Sequence, residues 1–167
     1  MDNVPHETIQ IMGYTNAWYR TEDFTEDQWK DITEETKIII SAATEGRLYP
    51  EAGETKLDVE RCDPSLKVDY PIDLGDGCGD GDPVVGDTIE LNGVGEDSHE
   101  SFYIPRKLDR TRERKGEVFD FCKTNRKPYD AVVVSILAVM KKIAPKVSRA
   151  TSNGDGDVEG SAIVYKF

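Results

Sequence analysis

The sequence predicts an α+β protein, a single domain spanning residues 1–167 in which a small mixed β-sheet packs against two main helices around a long, acidic, loop-rich middle. Apolar residues recur at helical spacing in two stretches, near residues 25–45 and 128–144. Short segments typical of strands occupy the middle and the end of the chain. A chain of 167 residues can bury one hydrophobic core, and a second independent core is not expected.

The first helix carries a start signal and a stop signal. Thr25 and Gln28 have the spacing of a capping box, in which each side chain satisfies a backbone N–H group of the other residue. Gly46 offers a stop at the far end. We therefore expect a helix over residues 25–45. The N-terminal segment before it, residues 1–24, is predicted to form either a short strand or an aromatic-rich arm that packs on a neighbour.

The middle of the chain changes to short strands and turns. Thr88–Leu91 and Ser101–Ile104 are predicted strands, joined by a glycine-rich loop. Residues 73–87 form an acidic, glycine-rich loop that cannot bury a core of its own. We therefore interpret residues 70–100 as a loop-rich insertion at the edge of the sheet.

The final third is predicted to run strand, helix, strand. Val118–Cys122 is the first strand, and the helix extends from Pro128 to Ala144. This helix is apolar on more than one side, so we expect it at the centre of the core or in a contact between subunits. Lys146–Ala150 and Ala162–Phe167 are further predicted strands.

Charge is distributed unevenly along the chain. The net charge is −12, but residues 1–105 hold 25 acids and 7 bases, whereas residues 106–167 hold 8 acids and 14 bases. Either the acids and bases are simply solvated, or oppositely charged faces meet between copies of the protein or with a partner. The negative total disfavours binding of duplex DNA by the whole surface, so direct nucleic-acid binding is not expected.

Cysteine usage and hydropathy indicate a protein that stays in a reducing compartment. The three cysteines are odd in number and far apart, which argues against a disulfide framework or a zinc module. The polar first residues do not read as a signal peptide, and the longest apolar run is too short to span a bilayer. We expect a cytoplasmic protein without a membrane partner.

The most informative stretch is Phe121–Asp130, which places cations between a strand and the start of an apolar helix. Unpaired backbone N–H groups and the helix dipole favour anions at such a junction, and arginine can hold a phosphate or carboxylate through two hydrogen bonds. The competing interpretation is a solvated linker whose bases form salt bridges with Asp109, Glu113 and Glu117. The candidate anion-binding residues are Lys123, Thr124, Arg126, Lys127 and Tyr129.

A metal site is only weakly indicated. Asp76, Asp80 and Asp87 have a spacing similar to that of an EF-hand loop, but Cys78 replaces an oxygen ligand and no flanking helices are evident. A solvated acidic turn is the favoured interpretation of this segment. No metal or other cofactor is predicted.

Catalytic signatures are also missing from the sequence. The two histidines, His6 and His99, stand near the start and in a polar loop, and Cys122 lies in an apolar strand where a packing role is predicted. Ser98, His99 and Glu100 are neighbours in sequence, which does not make a triad in space. No phosphate-binding loop or dinucleotide fingerprint occurs. We therefore expect no enzymatic activity.

The block from Phe121 to Asp130, the apolar stretch from Ala131 to Ile143 and the turn Ser152–Asp155 resemble an uncharacterised family of small tailed-bacteriophage proteins. Its members carry the block Phe-Cys-Lys-Thr-x-Arg-Lys-Pro-Tyr-Asp. The resemblance covers the final third of this chain, and Asn153 departs from the acid usual there. It implies a phage or prophage origin, and it carries no known activity.

These observations together predict a non-enzymatic bacteriophage protein that acts through protein–protein assembly. Its expected place is the virion, as a component of the head, connector or tail, after synthesis in the host cytoplasm. The expected partners are other phage structural proteins or further copies of the chain. One alternative is an early phage protein that binds a phosphorylated small ligand or inhibits a host defence factor. Another is an acidic protein that mimics nucleic-acid phosphates and occupies a basic partner.

Overall fold

The structure is a computed structural model that describes residues 15–46, 58–61, 70–79, 81–152 and 163–166. Within them lie two α-helices, α1 (Glu26–Thr44) and α2 (Asp130–Ile143). The strands are β1 (Thr15–Arg20), β2 (Asp58–Arg61), β3 (Leu74–Gly75), β4 (Val84–Val85), β5 (Thr88–Gly93), β6 (Phe102–Pro105), β7 (Val118–Lys123), β8 (Ser148–Ser152) and β9 (Ile163–Lys166). The predicted α+β class with two main helices is confirmed.

The first sheet has β1 as its middle strand, with β7 and β8 antiparallel on either side. Side chains alternate along β1, so that Asn16, Trp18 and Arg20 are buried while the residues between them are partly exposed. The predicted N-terminal strand is therefore confirmed for Thr15–Arg20. The alternative of an arm is wrong for these six residues, because both edges of β1 are hydrogen-bonded within the chain.

The second sheet is built around β5, which pairs antiparallel with β3, β4 and β6. Ile89 and Leu91 of β5 are fully buried and belong to the same core as Trp18. The interpretation of residues 70–100 as a loop-rich insertion therefore needs correction. Alternating apolar residues bury one side of β5 and make this region part of the body of the protein. In a separate pair, β2 lies antiparallel to β9.

Helix α1 begins as the sequence predicts. The Gln28 N–H donates to Thr25 Oγ1 at 3.1 Å, and the Thr25 N–H donates to Gln28 Oε1 at 3.0 Å, which completes the capping box. Beyond the helix end, Gly46 has φ of +69°. A side chain there would come within 2.9 Å of the backbone around Pro71, so the turn requires glycine.

Helix α2 is the centre of the core. Every residue from Asp130 to Met140 is buried, and the helix packs on α1, β1, β8 and β9. Its predicted central position is confirmed, although it begins two residues after Pro128 because tight turns precede it. Neither helix in the described ranges has the length and apolar character needed to cross a bilayer.

Candidate functional site

The residues predicted to bind an anion do not converge on a common open site. Thr124 is fully buried, and its hydroxyl donates to Asp130 Oδ1. Tyr129 is also fully buried, and its hydroxyl donates to the Glu100 carbonyl at 2.6 Å. Both hydroxyls thus satisfy groups of the protein itself and are withheld from a ligand. The structure therefore gives no support to the prediction that Thr124 and Tyr129 contact an anion.

The start of α2 offers little to an anion. The Asp130 N–H donates to the Lys127 carbonyl at 2.9 Å, and the Val132 N–H donates to the Tyr129 carbonyl at 3.0 Å. The Asp130 carboxylate itself occupies the first turn, where the helix dipole favours negative charge. Backbone carbonyls therefore accept hydrogen bonds from these N–H groups, and the Asp130 carboxylate lies at the positive end of the helix dipole. These are the two features of a helix start that would otherwise attract a phosphate.

A pocket of about 120 Å³ does lie against Pro128 and Tyr129. Its lining includes the carboxylates Asp73 and Asp97, and none of the described lining residues is a cation. Negative side chains beside the opening would repel a phosphate. This pocket does not replace the predicted site.

The three predicted cations are the part of the site that remains accessible. Lys123 and Arg126 are exposed and Lys127 is half-buried. Arg126 follows Asn125 through a turn in which both residues have φ near the left-handed region, at +57° and +50°. Burial raises the pKa of Asp130, and the positive charge of Arg126 opposes that rise. Arg126 is thus engaged with the junction and does not stand apart from it.

Asp130 is the hub of this junction. Asn16 of β1 donates from Nδ2 to Asp130 Oδ1 at 2.7 Å, and Thr124 donates to the same oxygen. Burial raises the pKa of Asp130, while the hydrogen bonds from Thr124 and Asn16 oppose that rise. The cluster joins β1, the turn after β7 and the start of α2. Sequence analysis missed Asn16, because 114 positions separate it from Asp130 and no local pattern links them.

Cys122 is a packing residue, as predicted. It is fully buried in β7, with Sγ 3.3 Å from the Glu100 carbonyl. Burial raises the pKa of Cys122 to about 12, so the thiol stays protonated at neutral pH and is a poor nucleophile.

The neighbouring residues Ser98, His99 and Glu100 make separate contacts with the backbone. The Ser98 hydroxyl donates to the Gly95 carbonyl at 2.6 Å, and His99 Nδ1 lies 2.7 Å from the Lys123 carbonyl. Glu100 Oε2 accepts a hydrogen bond from the Lys123 N–H at 2.8 Å. Each of these three side chains bonds to a backbone group. No hydrogen bond joins the three to one another as a catalytic triad would require.

The acidic turn has the geometry of a self-capped loop. Asp76 Oδ1 accepts from the N–H groups of Cys78 at 2.8 Å and Gly79 at 2.7 Å. Asp87 lies on an exposed turn between β4 and β5, and Asp80 lies outside the described residues. Among the residues that are described, no three histidine, cysteine, aspartate or glutamate side chains gather as a metal site would require.

The basic segment after β6 forms ion pairs, as one of the two sequence interpretations predicts. Within it, Arg110 binds Glu113 at 3.6 Å and Arg112 binds Asp120 of β7 at 3.2 Å. Glu117 instead binds Arg149 of β8 at 3.1 Å. Asp109 instead caps its own turn, and hydrogen bonds from Thr111 lower the pKa of this aspartate.

An exposed cluster of aromatic rings covers the outer side of the first sheet. Phe119 and Phe121 of β7 are 44% and 42% exposed, although both are large apolar residues. The Phe119 ring centroid lies 5.0 Å from that of Tyr19 on β1 and 5.8 Å from that of Phe121. We call Tyr19, Phe119 and Phe121 the aromatic face.

Cations border the aromatic face at both ends. The Arg149 guanidinium lies 3.7 Å from the centre of the Tyr19 ring, and Lys123 Nζ lies 5.8 Å from the centre of the Phe121 ring. The alternation of residues along β7 indicates this face in the sequence. In a strand with Cys122 buried, Phe119 and Phe121 share a parity opposite to Cys122 and must point the other way.

No protein-family model, curated protein or solved structure matches this chain. The fold and surface of the described residues therefore define its class: an α+β protein with two main antiparallel sheets and a separate two-stranded pair, a central buried helix and an exposed aromatic sheet face.

Proposed function

We propose that this chain is a non-enzymatic protein that works by protein–protein assembly, with the aromatic face as its docking surface. The observation that carries the proposal is the exposure of Phe119 and Phe121 side by side on one strand. Apolar surface gains roughly 25 cal/mol per Å² when it leaves water, so these rings favour burial against a partner. Contiguous exposed aromatic surface is typical of interaction sites on soluble proteins.

The contacts around the rings support a docking role. Arg149 is held over Tyr19 and is bound at the same time by Glu117. Rings and guanidinium that are already ordered lose less side-chain entropy when a partner binds. Aromatic residues and arginine are also the residue types enriched at the centres of protein interfaces.

We place the protein in the virion of a tailed phage, as a component of the head, connector or tail. The support for this step is the resemblance of the final third to tailed-phage proteins. Phe121 of the aromatic face and Lys123 beside it belong to the block on which that resemblance rests. The alternative of a phosphorylated small ligand has less support, because Thr124 and Tyr129 are buried in contacts within the protein.

The experiment is to follow the chain into purified phage particles. The encoding phage would carry Phe119→Ser/Phe121→Ser, with Tyr70→Ser as control, since Tyr70 is 50% exposed and lies outside the aromatic face. Mass spectrometry of purified particles should find the wild-type and control chains and lose the double variant. Circular dichroism should show all three chains folded, because the altered side chains are exposed.

Two results would contradict the proposal in different ways. Absence of the wild-type chain from particles would exclude the virion role. Incorporation of the folded double variant at the wild-type level would exclude the aromatic face as the docking surface.

A further inference from the structure

A second exposed apolar surface lies on the other sheet. Val84 of β4 and Tyr103 of β6 are 40% and 43% exposed and flank β5. Both pair in register with Glu90, so the three side chains form one row across the sheet. We call Val84, Glu90 and Tyr103 the acidic face.

One carboxylate belongs to this second surface, and two more flank β4 along the chain. Glu90 stands at its centre and accepts a hydrogen bond from the Thr88 hydroxyl at 2.9 Å. Asp82 and Asp87 are exposed just before and just after β4. The acidic face thus combines an aromatic ring and a valine with negative charge, whereas the aromatic face combines rings with Arg149 and Lys123.

We infer that the aromatic face of one copy docks on the acidic face of a second copy, so that the protein assembles head to tail. The inference rests on the proposed function and names the partner of the same site. Both surfaces offer exposed apolar side chains, and their bordering charges are opposite, which favours and orients such a contact. A contact between two different surfaces closes into a ring or continues as a filament, depending on the rotation between copies.

Two other occupants of the aromatic face fit the charges less well. Pairing of two aromatic faces would bring Arg149 and Lys123 against the same cations of the other copy, and like charges disfavour such contacts. A single-stranded nucleic acid could stack on the rings. However, the net charge of −12 disfavours the approach of a polyanion to this protein.

The size of the two surfaces determines how strongly two copies are expected to associate. A standard protein interface buries about 1,600 Å² in total, and each face here centres on three side chains. We therefore expect reversible association that increases with protein concentration and weakens with added salt, because surface charges are screened.

The test uses two variants that each block one surface. Phe121→Ser removes a ring of the aromatic face, and Tyr103→Ser removes the ring of the acidic face. In sedimentation velocity the wild type and the Tyr70→Ser control should form oligomers as concentration rises. Each blocked variant alone should associate about tenfold more weakly or not at all. An equimolar mixture of the two should form a one-to-one complex and stop there, since each copy retains one usable surface.

Phe119→Ser and Val84→Ser repeat the test at the second exposed side chain of each face, in case one of the first variants is misfolded.

A wild type that stays monomeric at all concentrations overturns the inference. Undiminished association of Tyr103→Ser would show instead that aromatic faces pair with each other. A mixture that remains monomeric also overturns it. Binding of a fluorescent single-stranded oligonucleotide by a monomeric wild type, lost in Phe121→Ser, would assign the face to nucleic acid. In each case the particle experiment still decides the proposed function separately.

Discussion

Arg20 shows how a single residue can connect distant parts of the chain. It is buried at the end of β1, where its guanidinium donates to the carbonyls of Pro105 and Arg106 and lies 3.8 Å from the centre of the Phe24 ring. Burial lowers the pKa of Arg20 to about 10, so it remains charged at neutral pH. The planar guanidinium reaches both carbonyls at once, which the single ammonium of lysine does not match.

We expect Arg20→Met to destabilise the fold by about 1–3 kcal/mol, because two carbonyls lose their charged donor. Urea unfolding at neutral pH measures the change. Arg112→Met is the matched control, since Arg112 is half-exposed and its ion pair with Asp120 should contribute less than about 1 kcal/mol. If Arg20→Met and the control were equally stable, the hydrogen bonds from Arg20 would not be what holds β1 to the end of β6.

At the scale of elements, the junction between β7 and α2 explains why the block Phe121–Asp130 has its composition. Thr124 and Asn16 both donate to Asp130, and Tyr129 donates to the turn before β6. The sequence suggested a ligand site because the same residue types serve anion binding. In the structure they satisfy buried polar groups where three elements meet.

This junction should make stability depend on pH. Burial raises the pKa of Asp130, so the carboxyl favours the folded state most when protonated. Its contribution is complete below the unfolded value of about 3.9 and is lost as pH rises through the higher folded value. Wild type should therefore lose stability relative to Asp130→Asn as pH increases from about 4 towards neutrality. Urea unfolding at several pH values measures this difference.

Asn16→Ala provides the companion to that measurement. Burial raises the pKa of Asp130, and the hydrogen bond from Asn16 opposes that rise. Loss of this bond should steepen the dependence of the free energy of unfolding on pH. It should also cost more stability at neutral than at acidic pH. A difference between wild type and Asp130→Asn that stays constant or grows in the opposite direction would contradict this account.

On the scale of the whole molecule, the charge asymmetry of the sequence is only partly an asymmetry of the surface. Arg110, Arg112 and Arg149 each bind an acid from the same third of the chain. Arg106 instead lies 3.8 Å from Glu26 at the start of α1. The charges that matter for docking are therefore the few beside exposed rings, rather than the totals of the two halves.

The buried position of Cys122 should keep its thiol from reacting with reagents in solution. Cys122 is fully buried and its pKa is raised to about 12, so reaction requires opening of the fold. With Cys62→Ser and Cys78→Ser in place, a thiol reagent should label Cys122 at least about a hundredfold more slowly in buffer than in denaturant. Absorbance of the released chromophore measures both rates.

The control for that labelling is the exposed Cys78. In a chain carrying Cys62→Ser and Cys122→Ala, Cys78 should react without unfolding. Native labelling of Cys122 as fast as that of Cys78 would mean that the strand around Cys122 opens readily.

Local signals account for the parts of the fold that were predicted well. The capping box places the start of α1, because its bonds join residues three apart. The apolar stretch after Asp130 indicates a central helix for the same kind of reason. The burial of Thr124 and Tyr129 was not evident from the sequence, because the side to which they turn depends on partners elsewhere in the chain. The role of β5 in the core was missed because its acidic surroundings resemble a solvated loop.

By itself, the amino-acid sequence determined the α+β class, the two helices and the packing role of Cys122, since each depends on patterns within a few residues. Only the tertiary structure decided that β1 is a middle strand, that Asn16 meets Asp130, and that Phe119 and Phe121 are exposed. The physical reason is that burial is a property of the assembled elements. A side chain is hidden or presented according to what packs over it, and the partners here come from distant parts of the chain.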